Sequence, residues 1–174
     1  MEDKSLKLML VTGLPGTGKS TVARILAEKT NAVVINSDVV RRGLFPDKRS
    51  YSHTETGKVI AEVNRRAKES LRRHENVILD ALFTKQASRD LYKKLAENLG
   101  AEFEIILVTA DESVIKQRLD ARVNDPSEAN FAYYLDRRGH FEPIVGPHRV
   151  VENSGDLKVL QKQVLLIKKE WLCE

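Results

Sequence analysis

The chain has 174 residues, 41% of them apolar and 31% charged, with a formal net charge of +4. That composition suits one folded core and excludes a disordered chain. Its longest apolar runs, such as Ile105–Val108, are too short to cross a bilayer. The single cysteine, Cys173, excludes an internal disulfide and a cysteine metal cluster, and the mild positive charge suits anionic ligands without arguing for nucleic acid.

In chain order, Met1 to Lys4 open no apolar segment of signal-peptide type, so a cytoplasmic protein is expected. Leu6–Val11 reads as a buried strand. Gly13-Leu14-Pro15-Gly16-Thr17-Gly18-Lys19-Ser20 follows and fits G-x-x-x-x-G-K-[ST] at every fixed position. Thr21–Lys29 then carries Val22, Ala23, Leu26 and Ala27 at helical spacing. Strand, glycine loop and helix are the context this phosphate-binding loop requires. Ala32–Asn36 is a short strand, and Val39–Phe45 is expected to be a helix closed by Gly43 and Pro46. His53–His74 is a long helix with Val59, Ile60, Val63, Ala67 and Leu71 on one face and a basic opposite face. Val77–Leu79 is a strand ending in Asp80, Lys85–Leu99 a helix, Glu102–Thr109 a strand and Val114–Val123 a helix. Residues 124–147 are polar, with one short helix expected around Glu128–Arg138. A last strand, Arg149–Glu152, leads into an amphipathic helix, Leu157–Trp171. Alternating strands and helices imply a parallel sheet covered on both faces, in one domain spanning 1–174. Ligands of such sheets bind beyond the carboxyl ends of the strands.

The residues expected to do chemistry stand there. Backbone N–H groups of Gly13 through Thr21, Pro15, Gly16, Thr17 and Gly18 among them, can cradle a polyphosphate at a helix N-terminus. Lys19 can reach the terminal phosphates, and the Ser20 hydroxyl can ligate Mg²⁺. Asp38 follows the second strand and can accept the proton of an attacking hydroxyl, or can simply cap the next helix. Arg41, three residues on, can hold an anionic substrate or the γ-phosphate. Asp80 closes an apolar strand, as a magnesium-binding acid does beside such a loop, and can alternatively meet the acceptor. Arg118 and Arg122 share a helix face, so one can stack on adenine and the other bind phosphate; ion pairing with Asp120 or Glu112 is the alternative. The Asn153-Ser154-Gly155-Asp156 turn lies at the same sheet edge, and Asn153 and Gly155 are assigned to the nucleotide. Arg137 and Arg138 can swing in with a lid.

With these residues in view, the chain resembles the small P-loop kinases, in particular the AAA-labelled "predicted kinase" family, and it is similar to the kinase domain of phage-type polynucleotide 5′-hydroxyl kinase. Asn36-Ser37-Asp38-Val39-Val40-Arg41 resembles the segment that carries the general-base Asp of the latter, with an Arg three residues on. Val77–Phe83 is similar to the family's VILDATF, with Leu82 in place of Thr. Arg89 falls where such kinases often keep an arginine, and it joins the substrate set on that ground. Arg118-Leu119-x-x-Arg122 matches an adenylate-kinase-like lid entry. Asp125–Ala129 and Phe141-Glu142-Pro143 resemble the family's lid, about 124–143, and Arg137 stands where Gln is usual. The resemblance implies a three-layer P-loop fold with a five-stranded parallel sheet in the order 2-3-1-4-5. It also implies an ATP- and Mg²⁺-dependent kinase acting on a hydroxyl of a small molecule or nucleotide. A polynucleotide 5′-kinase and an ATPase or nucleotide switch are the alternatives.

Overall fold

The computed structural model describes residues 5–123 and 127–171. The Met1–Lys4 start, the Asn124-Asp125-Pro126 part of the expected lid, and Cys173 lie outside the described residues. Five strands form one sheet: β1 (Lys7–Thr12), β2 (Val33–Asn36), β3 (Val77–Asp80), β4 (Glu102–Thr109) and β5 (Arg149–Glu152). Every pairing is parallel and the order is β2-β3-β1-β4-β5. This is the expected topology, with the phosphate-loop strand at the centre.

The central strands are apolar on both faces because helices cover both, as buried parallel strands require. On β1, Leu8 and Leu10 pack into one core while Met9 and Val11 pack into the other. The first core takes α2 (Ser37–Leu44), α3 (His53–Arg72) and α4 (Gln86–Asn98), through Val40, Val59, Val63, Ala67, Leu71, Tyr92 and Ala96. The second takes α1 (Lys19–Thr30) and α7 (Leu157–Trp171), through Val22, Ala23, Leu26, Leu160 and Val164. Burying one such side chain fully is worth ~1.5–3 kcal/mol, so these two layers fix the sheet. A third, small cluster of Ile115, Leu119 and Tyr134 seats α5 (Glu112–Asp120) and α6 (Phe131–His140) on Leu14 of the glycine loop.

Four local expectations shift. Helix α5 runs Glu112–Asp120 rather than Val114–Val123, so Arg122 lies past its end and shares no helix face with Arg118. Helix α2 starts at Ser37 rather than Val39, because the Asn36 side chain accepts the Val39 N–H at 2.9 Å and caps it. On α3 the exposed Ile60 gives its expected inward place to Glu55, which is buried because it meets an arginine. The lid helix α6 starts at Phe131 rather than 128, where Asn130 caps it by accepting from the Tyr133 N–H. No helix among the described residues is long and apolar enough to cross a membrane.

Candidate active site

The sheet register brings the functional strand ends together. Asp80 stands beside Val11 on one side and Asn36 on the other. The glycine loop leaves β1 and opens into α1. Gly13 and Gly18 both have positive φ, where a side chain is strained. They also lack room: a Cβ at Gly13 would meet the Val108 carbonyl oxygen at 2.2 Å, and one at Gly18 would meet Asn153 Nδ2 at 2.2 Å. The loop braces itself, as Thr17 Oγ1 and Lys19 Nζ donate to the Leu14 carbonyl at 2.8 and 3.0 Å.

Asn153 and Arg118 hold the outer side of this loop. Buried Asn153 donates from Nδ2 to the Thr17 carbonyl at 2.8 Å, and Arg118 Nη2 donates to the Asn153 carbonyl at 2.7 Å. Arg118 also reaches the Gly16 and Thr17 carbonyls at 3.5 Å. Gly155 stands in the open turn beyond, where a methyl group would meet only Val159 at 3.9 Å.

On the β2 side of the loop a cavity of about 850 Å³ opens. Gly18, Lys19 and Ser20 line its phosphate end, Asp38 and Asp80 its wall, and Arg122, Glu128 and Tyr133 its lid side. Asn36 ties this end together, although the sequence reading gave it no role. Its amide donates to Ser20 Oγ at 3.3 Å and to Asp80 Oδ2 at 2.5 Å while its oxygen caps α2. The sequence signal was an amide ending a strand three residues before a helical N–H.

Burial pushes the Asp80 carboxyl above its ordinary range, against the pull of Lys19, Ser20 and Asn36. A buried carboxyl beside a serine hydroxyl and a phosphate cradle is the donor set that a phosphate-bound Mg²⁺ uses. Ser20 and Asp80 therefore fit the metal. With Asn36 as the cap, Asp38 is left in the first turn of α2, half-buried on the cavity wall. The capping alternative for Asp38 is therefore replaced by a position facing the cavity.

Two arginines expected at the substrate lie elsewhere. Arg41 is buried behind the cavity wall. It donates to Glu55 Oε1 at 2.5 Å and Thr56 Oγ1 at 3.3 Å, and its guanidinium lies 4.6 Å from the Tyr51 ring centre. Burial alone would raise the Glu55 carboxyl, but hydrogen bonds from the Ser50 backbone and hydroxyl and from Arg41 outweigh it and hold it at about 2. Arg89 is fully buried, and its five bonds account for its five N–H donors. Nε donates to the Phe83 carbonyl, Nη1 to Gln86 Oε1 and the Pro143 carbonyl, and Nη2 to the Thr84 and Glu142 carbonyls, all within 3.2 Å. It ties the return of the lid to the loop after β3, where Phe83 sits at φ +40. The resemblance that put Arg89 with the substrate cannot show such a knot, because it joins segments more than fifty positions apart in the chain.

The lid crosses to the acceptor side through Arg49, whose Nε donates to Glu128 at 2.7 Å. Arg122 lines the cavity and donates to the Ala129 carbonyl at 3.3 Å. Arg138 pairs with Glu112, and Arg137 pairs with Asp136 and stacks on Tyr133, so both sit within the lid. On the basic face of α3, Arg65 and Arg66 pair with Glu62, and Arg73 with Glu69. Among the described residues no group of three or more metal-ligating side chains occurs.

The fold and this loop define a P-loop protein of the small-kinase architecture. Residues 8–144 match the AAA_33 family model, described as an AAA domain, and the chain belongs to that family. It is 33% identical over 140 residues to a UPF0200 protein of Pyrobaculum aerophilum, covering 76% of this chain and 75% of that one. It is 32% identical over 140 residues to an uncharacterized protein of Mycobacterium tuberculosis, a match that takes in 74% of this chain and 28% of the other. The chain thus spans little more than a quarter of that relative. Among solved structures, the Mycobacterium tuberculosis APS kinase in complex with AMPPNP and APS superposes with a TM-score of 0.72 at 19% identity, over 98% of this chain and 99% of that one. A gluconokinase from Sinorhizobium meliloti gives 0.68 at 18% identity, over 97% and 94%. A chain of the Pnkp1/Rnl/Hen1 RNA repair complex gives 0.62 at 21% identity, over 79% and 44%.

Proposed function

We propose that this protein is an ATP-dependent kinase that phosphorylates an alcohol. The observation that carries the proposal is the cavity itself: a complete phosphate cradle at one end and a carboxylate, Asp38, on the wall beside it. An ATPase needs only a water molecule beside the γ-phosphate, whereas this cavity of about 850 Å³ runs from the cradle past Asp38 to Tyr51 and the lid, a lining suited to an organic acceptor.

In this reading the cradle and Lys19 hold the β- and γ-phosphates of ATP, with Arg118 and Asn153 bracing the cradle from outside. Bound Mg²⁺, held by Ser20 and Asp80, would neutralise phosphate charge. Asp38 accepts the proton of the acceptor hydroxyl as its oxygen bonds to the γ-phosphorus. The bond from that phosphorus to the β–γ bridging oxygen breaks, and ADP leaves with the electron pair. The transition state is loose, so Asp38 mainly orients the hydroxyl and takes the proton late. Arg122, on the lid side, adds positive charge over the transferring group. Closure of the lid excludes water and favours transfer over hydrolysis.

The test is the fate of the label from [γ-³²P]ATP, incubated with the protein and a deproteinised extract of small metabolites. The proposal expects Lys19-dependent label in organic phosphate monoesters. Label recovered only as inorganic phosphate, at a rate unchanged by the extract, contradicts it.

A further inference from the structure

The acceptor end of the cavity has a composition of its own. Away from the cradle residues, Val34, Val39, Tyr51 and Tyr133 are part of the cavity lining, each between 37% and 52% exposed. Half-exposed apolar residues gathered in one concavity mark a surface that a ligand covers. The two tyrosines come from separate segments, Tyr51 from the loop before α3 and Tyr133 from the lid.

Both rings are held in the same way. The Arg41 guanidinium lies 4.6 Å from the Tyr51 ring centre, and that of Arg137 lies 4.8 Å from the Tyr133 ring centre. Each cation occupies one face of its ring, at the distance of a cation–π contact. Tyr51 is further fixed by its backbone, at φ +54, a conformation costly to a bulky side chain. Buried Glu55, which accepts from Arg41 and from Ser50 N and Oγ, holds that turn in place. Strain of this kind persists only where the surroundings over-determine it.

Charge points the same way. Outside the phosphate cradle, the cations lining the cavity among the described residues are Arg24 and Arg122. Arg24 donates to Glu28 at 2.9 Å, and Arg122 to the Ala129 carbonyl. Four carboxylates, Asp38, Asp80, Glu28 and Glu128, line the same space. The two arginines that would have suited an anionic acceptor, Arg41 and Arg89, are committed to buried partners. A second phosphate or a sulfate on the acceptor would therefore face four carboxylates, while Arg122, the cation on the lid side, is taken up by the transferring group in the kinase reading.

We infer that the acceptor is an uncharged alcohol with a flat aromatic body that stacks on Tyr51 and Tyr133, rather than a phosphorylated or sulfated alcohol. This rests on the kinase reading of the same site and narrows it to one chemical class. Arg41 is then a positioning residue: it acts on the acceptor through Tyr51.

The experiment measures kcat/KM with MgATP and the full chain for adenosine and thymidine, for their 3′-monophosphates, and for gluconate and glycerol. The uncharged nucleosides should exceed their own monophosphates and the two non-aromatic alcohols at least tenfold. Tyr51→Ala should raise the nucleoside KM about tenfold and leave the KM for ATP unchanged, while Tyr51→Phe stays near the parent. Val39→Arg, at an exposed position on the wall, should shift preference toward the monophosphates. Monophosphates or gluconate used as well as the nucleosides would overturn the acceptor class and leave the kinase reading standing. Transfer to none of the six also overturns the class. Whether the kinase reading falls with it is read separately, from label entering the extract.

Discussion

The two ends of the cavity are built differently. The phosphate end is one continuous stretch, Gly13–Thr21, braced by Arg118 and Asn153. The acceptor end is assembled from the ends of β2 and β3, the loop before α3, and the lid. The first holds a ligand shared by many proteins and is made of backbone N–H groups at a helix N-terminus. On the proposed reading the second recognises one molecule, with Tyr51 and Tyr133 each carrying an arginine against one face of its ring. The difference predicts which measured quantity each substitution moves.

Lys19→Ala should have the largest effect. It removes the cation at the transferring phosphate, so transfer should fall by about 10³-fold or more with the thermal melt unchanged, a loss of the size seen when a preorganised charge is removed. Near-normal transfer would erase the assignment of the phosphate end. Arg89→Ala comes next and acts on stability. It leaves the Phe83, Glu142 and Pro143 carbonyls without their donor. Losing a fully buried side chain together with its five bonds should cost ~3 kcal/mol or more in urea unfolding. A neutral substitution would mean that the knot between the lid and the loop after β3 is not holding either.

Arg118→Ala sharpens the comparison directly. Bonded to the Asn153, Gly16 and Thr17 carbonyls, it should raise the KM for ATP about tenfold and move the acceptor KM little. The reverse pattern would move Arg118 to the acceptor end. The smallest effect is on acid stability. Glu55 titrates at about 2 in the fold against 4.5 unperturbed, so its contribution is present above 4.5 and is lost as pH falls toward 2. Glu55→Gln should flatten the fall in melting temperature across that window. An unchanged slope would show that Glu55 does not hold the turn under Tyr51.

The phosphate end and the sheet were legible in the sequence for the same reason: both are local. Each strand is an apolar run, and each glycine of the loop is fixed by a backbone need. The acceptor end was legible only in part. Asp80 could be read because it ends a strand, and Asp38 because it closely follows one. Arg41 and Arg89 misled because a charged side chain in a sequence does not show its partner. Glu55 lies fourteen residues from Arg41, and Glu142 lies fifty-three from Arg89. Asn36, Tyr51, Glu128 and Tyr133 went unnoticed for the same reason, since only the fold brings them to one cavity. Asp38 itself changed standing, because the cap that competed with its catalytic role belongs to Asn36.

Asp38→Asn therefore tests the central claim most directly. Helix α2 keeps its Asn36 cap in this variant, so folding should be unaffected. With an acceptor that accepts label, kcat should fall by ~10²–10⁴-fold, the usual contribution of a positioned acid–base group. The KM for ATP should not move, because Asp38 belongs to the acceptor end. A variant that keeps nearly full kcat would contradict the account, and Asp80 would become the leading base.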